Sequence, residues 1–401
     1  MPGKYWAQGL FIQIGDVYPS PEYVFTERIT MIRLLMFLAA ISVATASDNR
    51  SPKEQVDRGV TSISIKQYTG KIELGEKELI YTDGKIPIRY DGSLSTIQRD
   101  DSTMFFFHSY GCRERGNRSR HAWFYGTELD PLAHLVSETT DAIIWDYNGY
   151  YQDTVQRGIW ILGMYKRDNG DLLAITHSET NNKVGDRTFE YSIGLGYSRD
   201  QGKNWTYCGE VITPAFRRTN VGGGAYIIKE DYLYVYYNDR GTVRGSRKGI
   251  CVARAPFNEV LKKAEKHQVS RWHKYRDGKW EVLALSDVMG TPIIPVVYGG
   301  EDCHSDAAYC VPLKKYLFTV QSQIGNKLLL YSSSNGVNWE FKAVVDSSES
   351  NRFMPYSAFV DFNGPRIDCS EVDDSFYIYY PHKSKRDHDV DEMYRCLVTI
   401  R

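Results

Sequence analysis

One pattern recurs five times along the chain: a short strand of small or apolar residues, a polar turn, and a strongly aromatic strand ending in polar residues. The first copy is Gly92–Gln98, turn Arg99–Ser102, then TMFFFHSYG; the second is Gly158–Tyr165, turn Lys166–Asp171, then LLAITHSE. Gly222–Ile228 with YLYVYYNDR, Ala307–Val311 with YLFTVQSQ and Ser357–Phe362 with SFYIYYPHK complete the series. Starts lie about 50 to 85 residues apart, which suits four-stranded blades carrying insertions. A single unit of this kind cannot bury its own faces, whereas copies stacked around an axis can. Small residues such as Gly222, Gly223, Gly224 and Ala225, or Ala307 and Ala308, open the inner strands, as crowding about an axis requires. The expected fold is therefore all-β: a five-bladed β-propeller of four-stranded antiparallel blades over residues 60–401. A pair of β-sandwiches is the runner-up.

The rest of the chain agrees. From Val60 onward, runs of Ile, Val, Tyr, Phe and Thr are punctuated by Gly, Asn and Asp, and only Asn258–His267 reads as helix. No Pro/Ser-rich linker divides this stretch. Glu392–Ile400 is expected as the third strand of blade five, with Val60–Tyr68 as its outer strand, latching the ring so that no edge stays open. Two hairpin turns carry a further mark. Ser198-Arg-Asp200-Gln-Gly202-Lys-Asn-Trp205 fits S-x-D-x-G-x-x-W, and Ser332-Ser-Ser334-Asn-Gly336-Val-Asn-Trp339 is a copy lacking the Asp. In such a turn the Asp caps backbone N–H groups, Gly supplies positive φ, and Trp folds back between blades. These turns resemble the Asp-boxes of sialidases and related propellers, and they are braces on the face opposite the funnel.

Met31–Ala46 (MIRLLMFLAAISVATA) has Arg33 near its start, the apolar run Leu34–Val43, and small residues Ala44 and Ala46 before Ser47. That is the form of a secretory signal, too short to span a bilayer comfortably. A start at Met31 is the simplest account of the residues before it, leaving 1–30 as an artefact of start-site assignment or a disordered tail. The expected location is secreted or periplasmic, with no membrane attachment after signal removal. The formal net charge of −1, without a long block of one sign, removes the electrostatic case for a nucleic-acid partner. Seven cysteines are scattered without zinc-type spacing; Cys303 with Cys310 is the one local pair, and most are expected to be buried and inert.

Residues just before strand one and just after strand two of every blade converge at one end of the axis, and they are polar in every repeat. Blade one supplies Arg89, Asp91 and His108; blade two supplies Gln156, Arg157, His177 and Glu179. Blade three supplies Asn220, Asn238, Asp239 and Arg240, and blade four Asp302, His304, Asp306, Gln321 and Gln323. Blade five supplies Tyr356, His382 and Lys383. Glycoside hydrolysis needs one carboxyl kept protonated as acid and another ionised as base or nucleophile, set across the scissile bond. Asp91, Glu179, His304 and Asp306 are the candidate catalytic residues; Arg89, His108, Trp145, His177, Asn220, Asp239, Arg240, Gln321, Tyr356 and His382 are candidates for substrate binding. Each single carboxylate also has a structural alternative as a turn cap or strand-end ion pair. Trp145 opens the loop Ile144–Tyr151, whose aromatic faces suit stacking on sugar C–H groups as well as packing between blades. No cofactor is called for: the Asp302–Asp306 cluster is compatible with Ca²⁺ or a transition metal in kind, but it lacks a second nearby His.

The blade arrangement and the turns resemble the sialidase-like superfamily and the five-bladed glycoside hydrolases, among them the arabinanase/xylosidase-type family 43 and the neoagarooligosaccharide-hydrolase-type family 117. The resemblance covers Val60–Arg401 at the level of pattern. It implies a propeller whose inner-strand starts carry the acids of glycoside hydrolysis, acting on a poly- or oligosaccharide. By position Asp91 resembles the first-blade base, while His304 and Asp306 fall where later-blade residues complete the site. The chain departs from family 43 at Asn220, where an acid is expected, and from six-bladed sialidases by lacking their three arginines and Tyr/Glu pair. A non-catalytic carbohydrate-binding propeller is the second reading and a polysaccharide lyase the third.

Overall fold

A blade stacked between two others buries both faces of its middle strands, and this accounts for their continuous apolar and aromatic runs. In Tyr232–Asp239 every residue after the first is buried, and Lys315–Ser322 has the same pattern. The computed structural model describes residues 68–81, 92–100, 102–112, 118–139, 144–146, 155–181, 189–216, 221–239, 249–294, 301–302, 304, 306–322, 326–348, 352–384 and 391–401. Their strands form five sheets of four to six strands, the blades of a five-bladed propeller.

Blade one is Ser95–Gln98, Thr103–Cys112, Arg118–Thr127 and His134–Thr139, each antiparallel to the next. Blade two runs Val155–Lys166, Leu172–Asn181, Phe189–Ser198 and Trp205–Ile212, with the short strand Ile144–Asp146 added in parallel at its outer edge. Blade three begins Val221–Lys229, Tyr232–Asp239, Gly249–Pro256 and gains two outer strands, His273–Arg276 and Lys279–Leu283. The helix Phe257–Ala264 lies in that insertion, where a helix is expected. Blade four is Ala307–Cys310, Lys315–Ser322, Lys327–Ser333 and Glu340–Ser347, and Glu371–Val372 of the next repeat adds in parallel to its inner strand. Blade five holds Ala358–Val360, Ser375–Ser384 and Asp391–Ile400.

The ring closes through an N-terminal strand, but not the expected one. Ile72–Tyr81 pairs antiparallel with Asp391–Ile400 as the outer strand of blade five, the place expected for Val60–Tyr68, of which all but Tyr68 lies outside the described residues. Arg395 fastens this latch from a buried position: it donates to both oxygens of Glu78 (2.7 and 3.1 Å), to the Glu128 carbonyl of blade one, and to the Tyr379 hydroxyl.

Each seam between neighbouring blades has its own bolt. The Ser109 hydroxyl accepts from Ile161 N–H at 2.9 Å and donates to Ile161 C=O at 3.1 Å, joining blades one and two. Tyr226 donates to Met164 C=O at 2.8 Å across the next seam, and Tyr236 to Gly336 C=O at 2.8 Å across the one after. Thr319 and Ser357 share a 2.8 Å hydroxyl contact between blades four and five, and Gln98 N–H donates to Ile367 C=O from blade one back to blade five.

The two hairpin turns are built as braces. Asp200 accepts from Asn204 N–H (2.8 Å), Asn204 Nδ2 (2.6 Å) and the Ser198 hydroxyl (2.9 Å), and the Trp205 indole donates to Gly202 C=O. Gly202 has φ +87°, and a Cβ there would stand 2.4 Å from the Trp123 ring of blade one. In the second turn Asn335 does the capping, one position after the Ser334 that the motif aligns with Asp200. It accepts from Val337 and Asn338 N–H at 3.0 and 2.8 Å, while the Ser333 hydroxyl accepts from Gly336 N–H. Cys208, Cys251, Cys310, Cys369 and Cys396 are buried free thiols. They agree with the expectation of buried, inert cysteines; of the one local pair, Cys303 lies outside the described residues and Cys310 points its thiol at Asp373 C=O.

Candidate functional site at the propeller hub

In blades two, three and four, residues early in the inner strand or just before it pair with residues late in the second strand. Gly158 stands opposite Glu179, Gly222 opposite Asn238, and Asp302 opposite Gln321. Polar residues at those offsets therefore come to one end of the axis, as the repeat predicts.

Four blades meet there around two imidazoles. His177, almost buried in the second half of the second strand of blade two, lies with its ring 5.5 Å from Tyr191 in a stack and 6.1 Å from Trp160. Its Nε2 is 3.8 Å from Glu179 Oε1, a half-buried carboxylate two residues on and therefore on the same face of the strand. Across the hub, the His304 ring lies edge-on to His177, with centroids 6.0 Å apart, and 5.7 Å from the Tyr356 ring of blade five. His304 sits over Gly222 of blade three: a Cβ on that glycine would come within 2.5 Å of His304 Cε1, 2.6 Å of its Nε2 and 3.3 Å of Asn238 Oδ1. Tyr356 is held at φ +61°, a conformation a bulky side chain rarely takes, and its N–H donates to His304 C=O. The arrangement offers a carboxylate, two imidazoles, a phenol and an amide to one small space, enough to bind hydroxyls and move protons.

Asp306 is differently employed. Its Oδ1 accepts from Ala307 N–H at 2.8 Å and its Oδ2 from Phe359 N–H of blade five at 3.0 Å. Burial pushes its carboxyl up from the ordinary 3.8 to about 7, against the lowering effect of those two bonds, and the charge of Asp368 adds to the rise. Both Asp306 and Asp368 line a narrow cavity inside the axis, with Tyr226, Ser95 and Thr96. Asp368 is itself tied down: it accepts from Lys166 N–H (3.0 Å), the Ser370 hydroxyl (2.6 Å) and the Arg366 guanidinium (3.3 Å). Arg366, laid over the Tyr165 ring, returns a bond to Lys166 C=O, so this loop of blade five is bolted to blade two across the axis.

The remaining sequence candidates divide. His382 is turned to the seam between blades four and five, where it bonds Asp346 Oδ2 at 2.8 Å beside Tyr394. Lys77 of the latch reaches the other oxygen of Asp346 at 3.2 Å, and these partners hold the Asp346 carboxyl below its usual range against the opposing effect of burial. Trp145 lies in Ile144–Asp146, the outermost strand of blade two, whose backbone pairs with Trp205 and Thr206 beside the capped turn. Asp239 is fully buried, and its charge bears on Cys251 and Lys274 within blade three. His108 is buried midway along the second strand of blade one, not after its end as expected, and Gln321 is buried near the end of the second strand of blade four. Arg89, Asp91, Asn220 and Arg240 lie outside the described residues. Tyr191 and Trp160 were not anticipated at the hub; their cross-strand positions beside His177 follow only once the strand register is known.

The chain is thus a five-bladed β-propeller with a polar, imidazole-bearing hub. No sequence profile of a known family matches it, and no curated protein sequence does. Among solved structures it is similar to the catalytic domain of a Coprinopsis cinerea GH62 α-L-arabinofuranosidase, with TM-score 0.48 and 7% identity over 82% of this chain and 98% of that one. It is similar too to an α-L-arabinofuranosidase of Lactobacillus brevis, at TM-score 0.48 and 11% identity over 79% and 92% of the two chains. A family 117 glycoside hydrolase of Zobellia galactanivorans gives TM-score 0.45 and 11% identity over 81% and 90%.

Proposed function

We propose that this protein is an exported glycoside hydrolase acting on a poly- or oligosaccharide at the hub, with Met31–Ala46 as its export signal. The observation that carries the reading is the meeting of Glu179, His177, His304 and Tyr356 from three blades at one end of the axis. Cleaving a glycosidic bond requires a proton delivered to the leaving oxygen and a proton taken from the attacking water. Glu179 is the group we assign to accept the proton of water, with His177 beside it to steady the charge. The His304 imidazole, on the far side of His177, is assigned to donate to the leaving oxygen. Asp91 belongs to the same reading by its position before the inner strand of blade one. Tyr356 and Asn238 supply hydroxyl and amide contacts for sugar hydroxyls.

One observation favours the second reading, a propeller that binds sugar without cleaving it. Asp306, a carboxylate that sequence position offers for catalysis, already has both oxygens engaged by backbone N–H groups. The test is a screen of the secreted protein on aryl glycosides and oligosaccharides, followed by Glu179→Gln on whichever substrate is cleaved. Turnover should fall about 100- to 10,000-fold with sugar affinity retained. Sugar binding with no cleavage by the wild type would establish the binding propeller and overturn the hydrolase.

A further inference from the structure

We infer that Gly222 is a positioning residue: its missing side chain forms the seat in which the His304 imidazole is held at the hub. Three observations lead there. Gly222 is the second residue of the inner strand of blade three, next to Gly223 and Gly224, whose φ values of +114° and +140° demand glycine for backbone reasons. Gly222 itself is not in the left-handed region, so its backbone is open to any residue. What excludes a side chain is the occupant of the space, since a Cβ would overlap His304 Cε1 and Nε2 at 2.5 and 2.6 Å; the Asn238 amide oxygen, at 3.3 Å, is merely close. The glycine is therefore explained by the histidine.

The other side of the seat is the backbone of blade five. Tyr356 N–H donates to His304 C=O from a left-handed conformation unfavourable for tyrosine, which fixes the peptide while the bare face of Gly222 fixes the ring. Three blades thus determine where one imidazole lies, and the ring is presented edge-on to His177, 6.0 Å away. A group meant only to fill space at a strand end needs no such seat. A proton-transferring group does, because misplacement by about 1 Å can cost on the order of 100-fold in rate.

The catalytic half of this inference rests on the hydrolase reading, whereas the seat does not, and the experiment separates them. Gly222→Ala, His304→Ala and the double variant are compared by thermal unfolding. Gly222→Ala alone should lose several degrees in Tm from overpacking, and the loss should vanish in the His304→Ala background, where the methyl occupies the vacated space. An equal loss in both backgrounds overturns the seat. If Gly222→Ala does not fold, a double variant as stable as His304→Ala still supports it, and a double variant that also fails refutes it. In protein labelled with ¹³C at histidine Cε1, the His304 resonance, assigned by its loss in His304→Ala, should move in Gly222→Ala while those of His134 and His273 stay. Where a cleaved glycoside is in hand, Gly222→Ala should lower turnover about 10- to 100-fold with little change in affinity, and should lower it no further once His304 is gone. Full turnover in a variant whose His304 resonance has moved would overturn the catalytic half and leave the seat intact.

Discussion

Asp306 presents a choice between brace and catalyst that a single substitution resolves. In the fold its two oxygens take one N–H from Ala307 and one from Phe359, binding the inner strand of blade four to that of blade five. The carboxyl sits near 7 because burial opposes its charge, whereas in the unfolded chain it titrates near 3.8. Between about pH 4 and 7 the folded protein therefore holds a proton that the unfolded chain has released, and stability falls as pH rises through that window. At about 1.4 kcal/mol for each pH unit, the full effect is about 4 kcal/mol. Asp306→Asn abolishes the titration but keeps one acceptor only, leaving an N–H facing an NH₂ group at a cost of about 1–3 kcal/mol. The variant should therefore be less stable than wild type at pH 4.5 and equal or more stable at pH 8. Urea unfolding at half-unit intervals across that range, at constant salt, gives the difference curve. Other titrating groups cancel in it. A flat difference would refute the buried-carboxyl argument. A crossover accompanied by a turnover loss beyond about 100-fold, at a pH where both proteins are folded, would return Asp306 to the chemistry.

Two further outcomes follow from the same reasoning. Asp200→Ala removes three hydrogen bonds from the capped turn between the third and fourth strands of blade two; unfolding should show a loss of about 1–2 kcal/mol, with activity per folded molecule unchanged. Tyr356→Gly relieves a left-handed tyrosine but removes a ring packed on the core shared by blades one and five and loosens the unfolded chain, so unfolding should show a net loss of about 1–2 kcal/mol, while turnover or sugar affinity per folded molecule falls with the lost ring; unchanged activity per folded molecule would show that the ring serves packing alone.

The blades were legible because sheets stacked on both sides impose continuous aromatic runs such as YLYVYYND, which no half-exposed strand would show. The latch was misplaced for the converse reason. An outer strand needs little more than ladder hydrogen bonds, and IELGEKELIY of Ile72–Tyr81, largely exposed, looks less strand-like than the β-branched VTSISIKQY that precedes it. The capping residue of the second turn moved from Ser334 to Asn335 because an amide one position along reaches the same N–H groups. At the hub, the repeated polar offset located His177, Glu179, His304 and Tyr356 together, but an offset does not say which way a side chain turns. His382 satisfies the same rule and faces Asp346 at a seam instead.

That ambiguity has a physical source. Five wedges around an axis leave backbone groups at the inner-strand ends without ladder partners, and buried groups of that kind must be satisfied. Polar side chains are therefore needed at the same offsets whether or not a ligand is ever bound there. Asp306, Ser109 and Thr319 answer that need, each bonding backbone or hydroxyl of an adjoining blade. His177, Glu179, His304 and Tyr356 instead gather side chain to side chain, with His304 placed over a glycine whose backbone would admit a larger residue and Tyr356 held in an unfavourable conformation. Closing the ring explains the first group. The second group makes ring contacts across blades two, four and five at a cost in strain, and that expenditure is what supports the proposal of a site at the hub.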